Sequence, residues 1–227
     1  MGFTIGAIGG IRDISDRCSG HRRRGRGSEC TAVSEYASLW GWSVVPGARA
    51  SRGGGRTRCS CGAVNCAAPG AHPLDPSLEV PAGASLDEAT RAWNRVPGAS
   101  LLLPTGRSFD VLQVTESAAR QALVRLERMG LPLGPVAVTP DRRAWFLVAR
   151  GATAELPGLL YRMGWDDSRI DLRGLGPGDY ITAPPSDLGG LGPVRWLRAP
   201  APERAARFPE ARLLLGTLAY VCHRSAV

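Results

Sequence analysis

The sequence predicts a mixed α/β fold of the α+β kind, on three observations. Segments of two-residue apolar alternation are interleaved with segments of helical period. Some strand-like segments lie close enough in the chain to form hairpins. A length of 227 residues, 44% hydrophobic and 21% charged, supplies one sizeable core. Residues 1 to 31 stand apart, with no sustained period and with Arg12, Arg17, Arg22, Arg23, Arg24 and Arg26 against Asp13, Asp16 and Glu29, a local charge of +3. They read as a flexible basic arm. Residues 32 to 200 are expected to form the globular domain and 201 to 227 a C-terminal helical segment.

Each element has a local reason. Val33, Tyr36, Ala37 and Trp40 recur at helical spacing, so order is expected from about Thr31. Trp42 to Val45 is strand-like, with Pro46 expected to stop it, and the Gly- and Arg-rich stretch from Gly47 to Arg58 reads as a loop. Ser85 with Asp87 and Glu88 opens a helix to about Asn94, ended by Pro97-Gly98. Ser100 to Leu103 and Asp110 to Thr115 are strands, separated by the turn residues Pro104 to Ser108. Glu116 to Met129 is a helix with Ala119, Ala122, Leu123 and Leu126 in one stripe, closed by Gly130. Val136 to Thr139 and Ala144 to Ala149 form a hairpin around Pro140-Asp141-Arg142. A short helix near Leu156 to Met163, strands near Ile170 to Leu172 and Tyr180 to Thr182, and a last helix near Glu210 to Cys222 complete the expected core.

Charge and cysteine usage narrow the function classes. All 28 positive residues are Arg, against 20 acids, giving +8 and a pI near 9.8. The lack of Lys is what a GC-rich genome produces. The excess over acids is not fixed by codon bias, and it favours nucleotide or nucleic-acid partners. No run reaches the roughly 18 apolar residues of a membrane span, and Met1 to Ile11 lacks the positive flank of a signal peptide. A cytoplasmic protein is expected, so six Cys point to metal binding more than to disulfides.

Cys59, Cys61, Cys66 and His72 place three thiols and one imidazole in a short loop. Such a set can close a tetrahedral structural zinc site, with Gly62, Pro69, Gly70 and Pro73 as its turn residues. Cys18, Cys30 and Cys222 lie outside that cluster and are expected to be inert thiols.

These residues carry a resemblance. The zinc knuckle at 59 to 73, the helix with Trp93, Leu101 to Gly106, the strand at 109 to 115, and Asp171-Leu-Arg-Gly followed by Asp179-Tyr-Ile-Thr-Ala-Pro-Pro-Ser186 and Trp196 occur in family order. The chain resembles the bifunctional DNA primase/polymerase (prim-pol) domains of the archaeo-eukaryotic primase superfamily, over roughly 33 to 198. The resemblance implies an RRM-like sheet with flanking helices and a small zinc knuckle. It implies a nucleoside triphosphate and a DNA template as ligands, and a role in DNA replication. The implied reaction is phosphoryl transfer by two divalent metals, Mg or Mn, held by an Asp-x-Asp pair and a third Asp, with a His on the nucleotide phosphates.

The chain departs from that pattern where the chemistry lies. Gln113 and Thr115 occupy the paired acid positions, Arg143 occupies the His position, and Asp171 is the only retained acid. Asp110 and Glu116 differ in strand parity from Gln113 and are expected to point away. Together the substitutions move the site about three charges toward positive. Two function classes follow. One is a degraded prim-pol module that binds nucleotide, nucleic acid or a replication partner, with Arg142, Arg143 and Arg173 holding phosphate and Thr105, Gly106 and Ser186 at family nucleotide positions. The other is an active primase/polymerase whose acids lie elsewhere. Trp40, Trp93 and Trp145 are expected in the core; Trp165 and Trp196 are left open between core packing and base stacking.

Overall fold

A computed structural model describes residues 26–165, 170–201 and 207–225. The elements are α1 (Arg26–Ser34), a π-helical turn (Glu35–Leu39), β1 (Val45–Gly47), β2 (Ala50–Gly53), β3 (Arg56–Cys59), α2 (Leu86–Arg95), β4 (Ser100–Pro104), β5 (Asp110–Thr115), α3 (Glu116–Arg128), β6 (Val136–Val138), β7 (Arg143–Val148), α4 (Ala152–Arg162), β8 (Arg173–Leu175), β9 (Tyr180–Thr182), β10 (Arg195–Arg198) and α5 (Ala211–Ser225).

The segment β5-α3-β6-β7-α4-β8 makes the implied RRM-like unit. Its strands lie in a five-stranded sheet of order β10-β6-β7-β5-β8, every pair antiparallel, with β10 as an added edge. Alternation along β5 divides the molecule. Leu112 and Val114 point into a core shared with Ala119, Leu126, Leu159 and Leu218 from α3, α4 and α5. Val111 points into a second core with Trp145 and Leu147, closed by α1, α2 and the three-stranded sheet β1-β4-β9. Trp40 and Trp42 meet Tyr36 at 4.6 and 6.0 Å between ring centroids, and Trp196 meets Trp40 at 6.3 Å. Trp196 is therefore a packing residue, as are Trp40, Trp93 and Trp145.

Several expected boundaries shift for local reasons. α1 begins at Arg26, inside the expected arm; residues 1–25, with Arg22 to Arg24, lie outside the described residues. Pro46 does not stop the strand but sits inside β1, an edge strand whose outer carbonyl accepts from Leu74 N–H. The expected loop from Gly47 to Arg58 holds the hairpin β2–β3, turned by Gly54 and Gly55 at φ 57° and 74°. β8 starts at Arg173, after the expected strand, and β10 was not expected at all. α5 packs on α3 and α4 as part of the main core.

Helix α4 starts at Ala152 and takes Pro157 into its interior, whereas the sequence suggested a start near Leu156. The cause is Asp110. It is fully buried, and its Oδ2 accepts the Thr153 N–H at 2.9 Å, capping α4 from another strand. Asp110→Ala should lower stability by about 1–3 kcal/mol. Asp110→Asn, which keeps an acceptor oxygen, should cost less. Urea denaturation midpoints at unchanged slope check both.

Candidate functional site

Strand register brings the candidate residues to one pole of the sheet. In β5, Thr115 lies opposite Arg143 of β7, and Gln113 lies between Trp145 of β7 and Arg173 of β8. Continuing the register of β8 by two residues sets Asp171 beside Thr115. Residues directly opposite share a face, so Arg143, Thr115 and Asp171 form a row with the small Thr in the middle. The long guanidinium crosses it. Arg143 donates to both Asp171 oxygens, at 2.5 and 2.7 Å. The hydrogen bonds from Arg143 hold the Asp171 carboxyl below its ordinary range, with the charge of Arg173 adding to the shift; the same bonds raise Arg143.

The other two expected acid positions are also engaged. Gln113 Oε1 accepts from the Trp145 indole at 3.0 Å. Thr115 Oγ1 caps α3 by accepting from Ala118 N–H at 3.2 Å. Asp110 lies at the far end of β5, about 17 Å away at ordinary strand rise, and faces the helices. Glu116 is paired with Arg120. Among the described residues, no cluster of three His, Cys, Asp or Glu ligands forms at this pole. Its donor set of one neutralised carboxylate and two engaged neutral oxygens does not suit a pair of divalent ions.

Arg142 and Arg173 complete the pole. Arg142 turns the β6–β7 hairpin at φ 64°, its carbonyl accepting from Glu116 N–H at 2.8 Å, and both guanidinium groups lack an ion pair among the described residues. Thr105, Gly106 and Ser186 are placed differently. Thr105 is buried and bonds the carbonyls of Gly176 and Asp179, while Gly106 at φ 80° lies against Pro177, where a Cβ would come within 2.5 Å. They brace the β8–β9 turn at the Asp110 end of the sheet. Ser186 Oγ accepts from Leu101 N–H at 2.9 Å. The structure thus gathers Arg142, Arg143, Asp171 and Arg173 with Gln113 and Thr115, and leaves Thr105 and Gly106 at the opposite end.

The second candidate centre is the knuckle. One ligand atom each from Cys59, Cys61, Cys66 and His72 lie within 4.8 Å of one another. A tetrahedral zinc ion needs ligand separations of about 3.7 Å, so a small contraction suffices. His72 is oriented for the role: Nδ1 lies 2.8 Å from the Pro73 carbonyl, which leaves Nε2 toward Cys59 Sγ at 3.3 Å. Partial burial alone would raise the Cys59 thiol. Hydrogen bonds from the Cys61 and Gly70 backbones, Cys61 and His72 outweigh that and bring it down to about 6. The four groups can hold a metal ion such as zinc. Elsewhere, burial pushes the Cys222 thiol up to about 11, which keeps it protonated and inert. Cys18 lies outside the described residues.

The arginines of β2–β3 escaped the sequence reading, although Arg-Gly-Gly-Gly-Arg is a legible turn signal. No helix of the described residues is long and apolar enough to cross a membrane. Comparison with curated proteins and with solved structures returns no match. A family comparison does: residues 33–211 match the bifunctional DNA primase/polymerase N-terminal domain. With the RRM-like strand order and the Cys/His knuckle in place, that match over most of the chain makes it a member of the Prim-Pol family.

Proposed function

We propose that this Prim-Pol chain is a catalytically degraded member that binds the phosphates of a nucleoside triphosphate or of DNA through arginine, without divalent metal. The carrying observation is the bidentate Arg143–Asp171 pair laid across Thr115. A metal at Asp171 would have to displace Arg143 or sit beside its positive charge, at a cost of several kcal/mol even at an effective dielectric of about 20. Arg143, Arg142 and Arg173 instead offer guanidinium forks suited to phosphate oxygens. Calorimetric titration should show nucleoside triphosphate or single-stranded DNA binding in EDTA, at a level that leaves zinc content unchanged, with little gain on adding magnesium. Primer extension should stay absent with manganese. Extension by the wild-type chain would overturn this reading in favour of an active primase/polymerase.

Asp171 competes with phosphate for Arg143 on this reading. Asp171→Asn should therefore tighten metal-free triphosphate binding severalfold, and Arg173→Ala should weaken it. An enzyme that needed Asp171 as a metal ligand would respond in the opposite sense. The pair also has a signature in pH. Its depressed carboxyl contributes stability above the unfolded value near 3.9, and that stability is lost as pH falls through the lower folded value. Asp171 is 47% exposed, so the contribution is at most about 1 kcal/mol. Urea melts of wild type and Asp171→Asn should differ at pH 7 and converge as pH falls through the lowered range of the Asp171 carboxyl.

We assign a structural zinc to Cys59, Cys61, Cys66 and His72. Cys66→Ser should reduce zinc content from one per chain to nearly none. Amide exchange should accelerate in the knuckle and hairpin while the amides of β5 and β7 stay protected.

A further inference from the structure

Beyond carrying Cys59 to the knuckle, the hairpin β2–β3 has no evident structural reason to extend to Gly54-Gly55. Ser51 through Arg58 are all exposed, and no apolar side chain lies between Ala50 and Cys59. Ordering a residue costs about 1–2 kcal/mol, and an isolated two-stranded ribbon is marginal in water. The ribbon is held at its base by the knuckle, through Cys59, and by Arg52 Nε donating to the Gly189 carbonyl at 3.2 Å. Beyond that base, from Ser51 to Arg58, it buries no apolar side chain.

Its charge is one-sided. Residues 36 to 74 contain no Asp or Glu, while Arg49, Arg52, Arg56 and Arg58 lie in or beside the ribbon. Register sorts them. Ser51 pairs with Arg58 and Gly53 with Arg56, so these four share a face; Arg52 and Thr57 share the other with Ala50 and Cys59. The Arg52 face turns toward the Gly189 loop, which leaves Arg56 and Arg58 outward, with only Ser and Gly across from them. Neither has an ion pair among the described residues. Two residues of strand separate them by about 7 Å, on the order of the through-space distance between neighbouring phosphates of one strand. In the knuckle loop that holds the base of the ribbon, between Cys61 and Cys66, Val64 is 96% exposed. An exposed apolar side chain in the loop that anchors a pair of guanidinium groups suits an unstacked base beside its backbone.

We propose that the β2–β3 ribbon, anchored by the knuckle, is a nucleic-acid docking arm in which Arg56 and Arg58 contact backbone phosphates and Val64 meets a base. This rests on the hairpin and the knuckle loop and is independent of the Arg143–Asp171 pole. The test is fluorescence anisotropy of a labelled oligothymidylate, and of a duplex of equal length, with the full chain over a salt series. Arg56→Ala/Arg58→Ala should weaken binding and reduce the salt slope by about 1.4 on the single strand, from two contacts at about 0.7 each. Val64→Ser should weaken oligothymidylate binding more than duplex binding. Zinc content and urea midpoint of each variant establish that the fold is retained. Metal-free triphosphate binding should be unchanged by the ribbon variants, so failure here is separable from failure at the Asp171 pole. An unchanged salt slope in the double Arg variant, equal competition by polyglutamate, or no binding of either oligonucleotide by the wild type would overturn the proposal.

Discussion

The lateral register of β7, β5 and β8 is the constraint on which the site depends. It sets Arg143, Thr115 and Asp171 in one row, so the identity of any one of them decides what the other two can do. Three acids around this row would repel each other unless a cation sat among them. An arginine in the row supplies that cation from within the chain, and then a carboxylate at the middle position would be crowded under its side chain. The short, neutral Thr115 lets the guanidinium pass over to Asp171. Partial exposure keeps the energy of this pair small, so it contributes little to holding the fold together.

The fold itself rests on burial from both faces of the sheet. α3, α4 and α5 cover one, and the aromatic group of Tyr36, Trp40, Trp42 and Trp196 with the second sheet closes over the other. Open sheet is left at the ends of the strands. At the Asp110 end that opening is closed by Thr105 and Gly106 against Gly176 and Pro177, with the buried Asp110 capping α4. At the Thr115 end it is lined by Arg142, Arg143 and Arg173.

Much of this was legible in the sequence, for identifiable reasons. α2 and α3 announce themselves because their caps, Ser85 with Glu88 and Thr115, are adjacent in the chain. β5, β6 and β7 follow from apolar alternation, and the knuckle from ligand spacing. The substitutions at Gln113, Thr115 and Arg143 could be read against a family pattern, but their mutual contacts could not, because pairing Arg143 with Asp171 depends on register between strands far apart in sequence. α4 was placed late since its cap is Asp110, on a different strand. β2 and β3 were missed since apolar periodicity is blind to strands that carry no apolar residue. Thr105 and Gly106 match a motif whose sequence does not distinguish ligand contact from a packed turn.

Nearly every polar group of the row has a partner. Gln113 offers its oxygen to the Trp145 indole, and Thr115 Oγ1 caps α3. Asp171 is satisfied through both oxygens. The exception is Arg143, whose buried Nε has no hydrogen-bond partner. That stranded donor lies beside an acid and between Arg142 and Arg173, at a cost that a shorter neutral residue in the row would not carry, so the register that pairs Arg143 with Asp171 is bought against local hydrogen bonding.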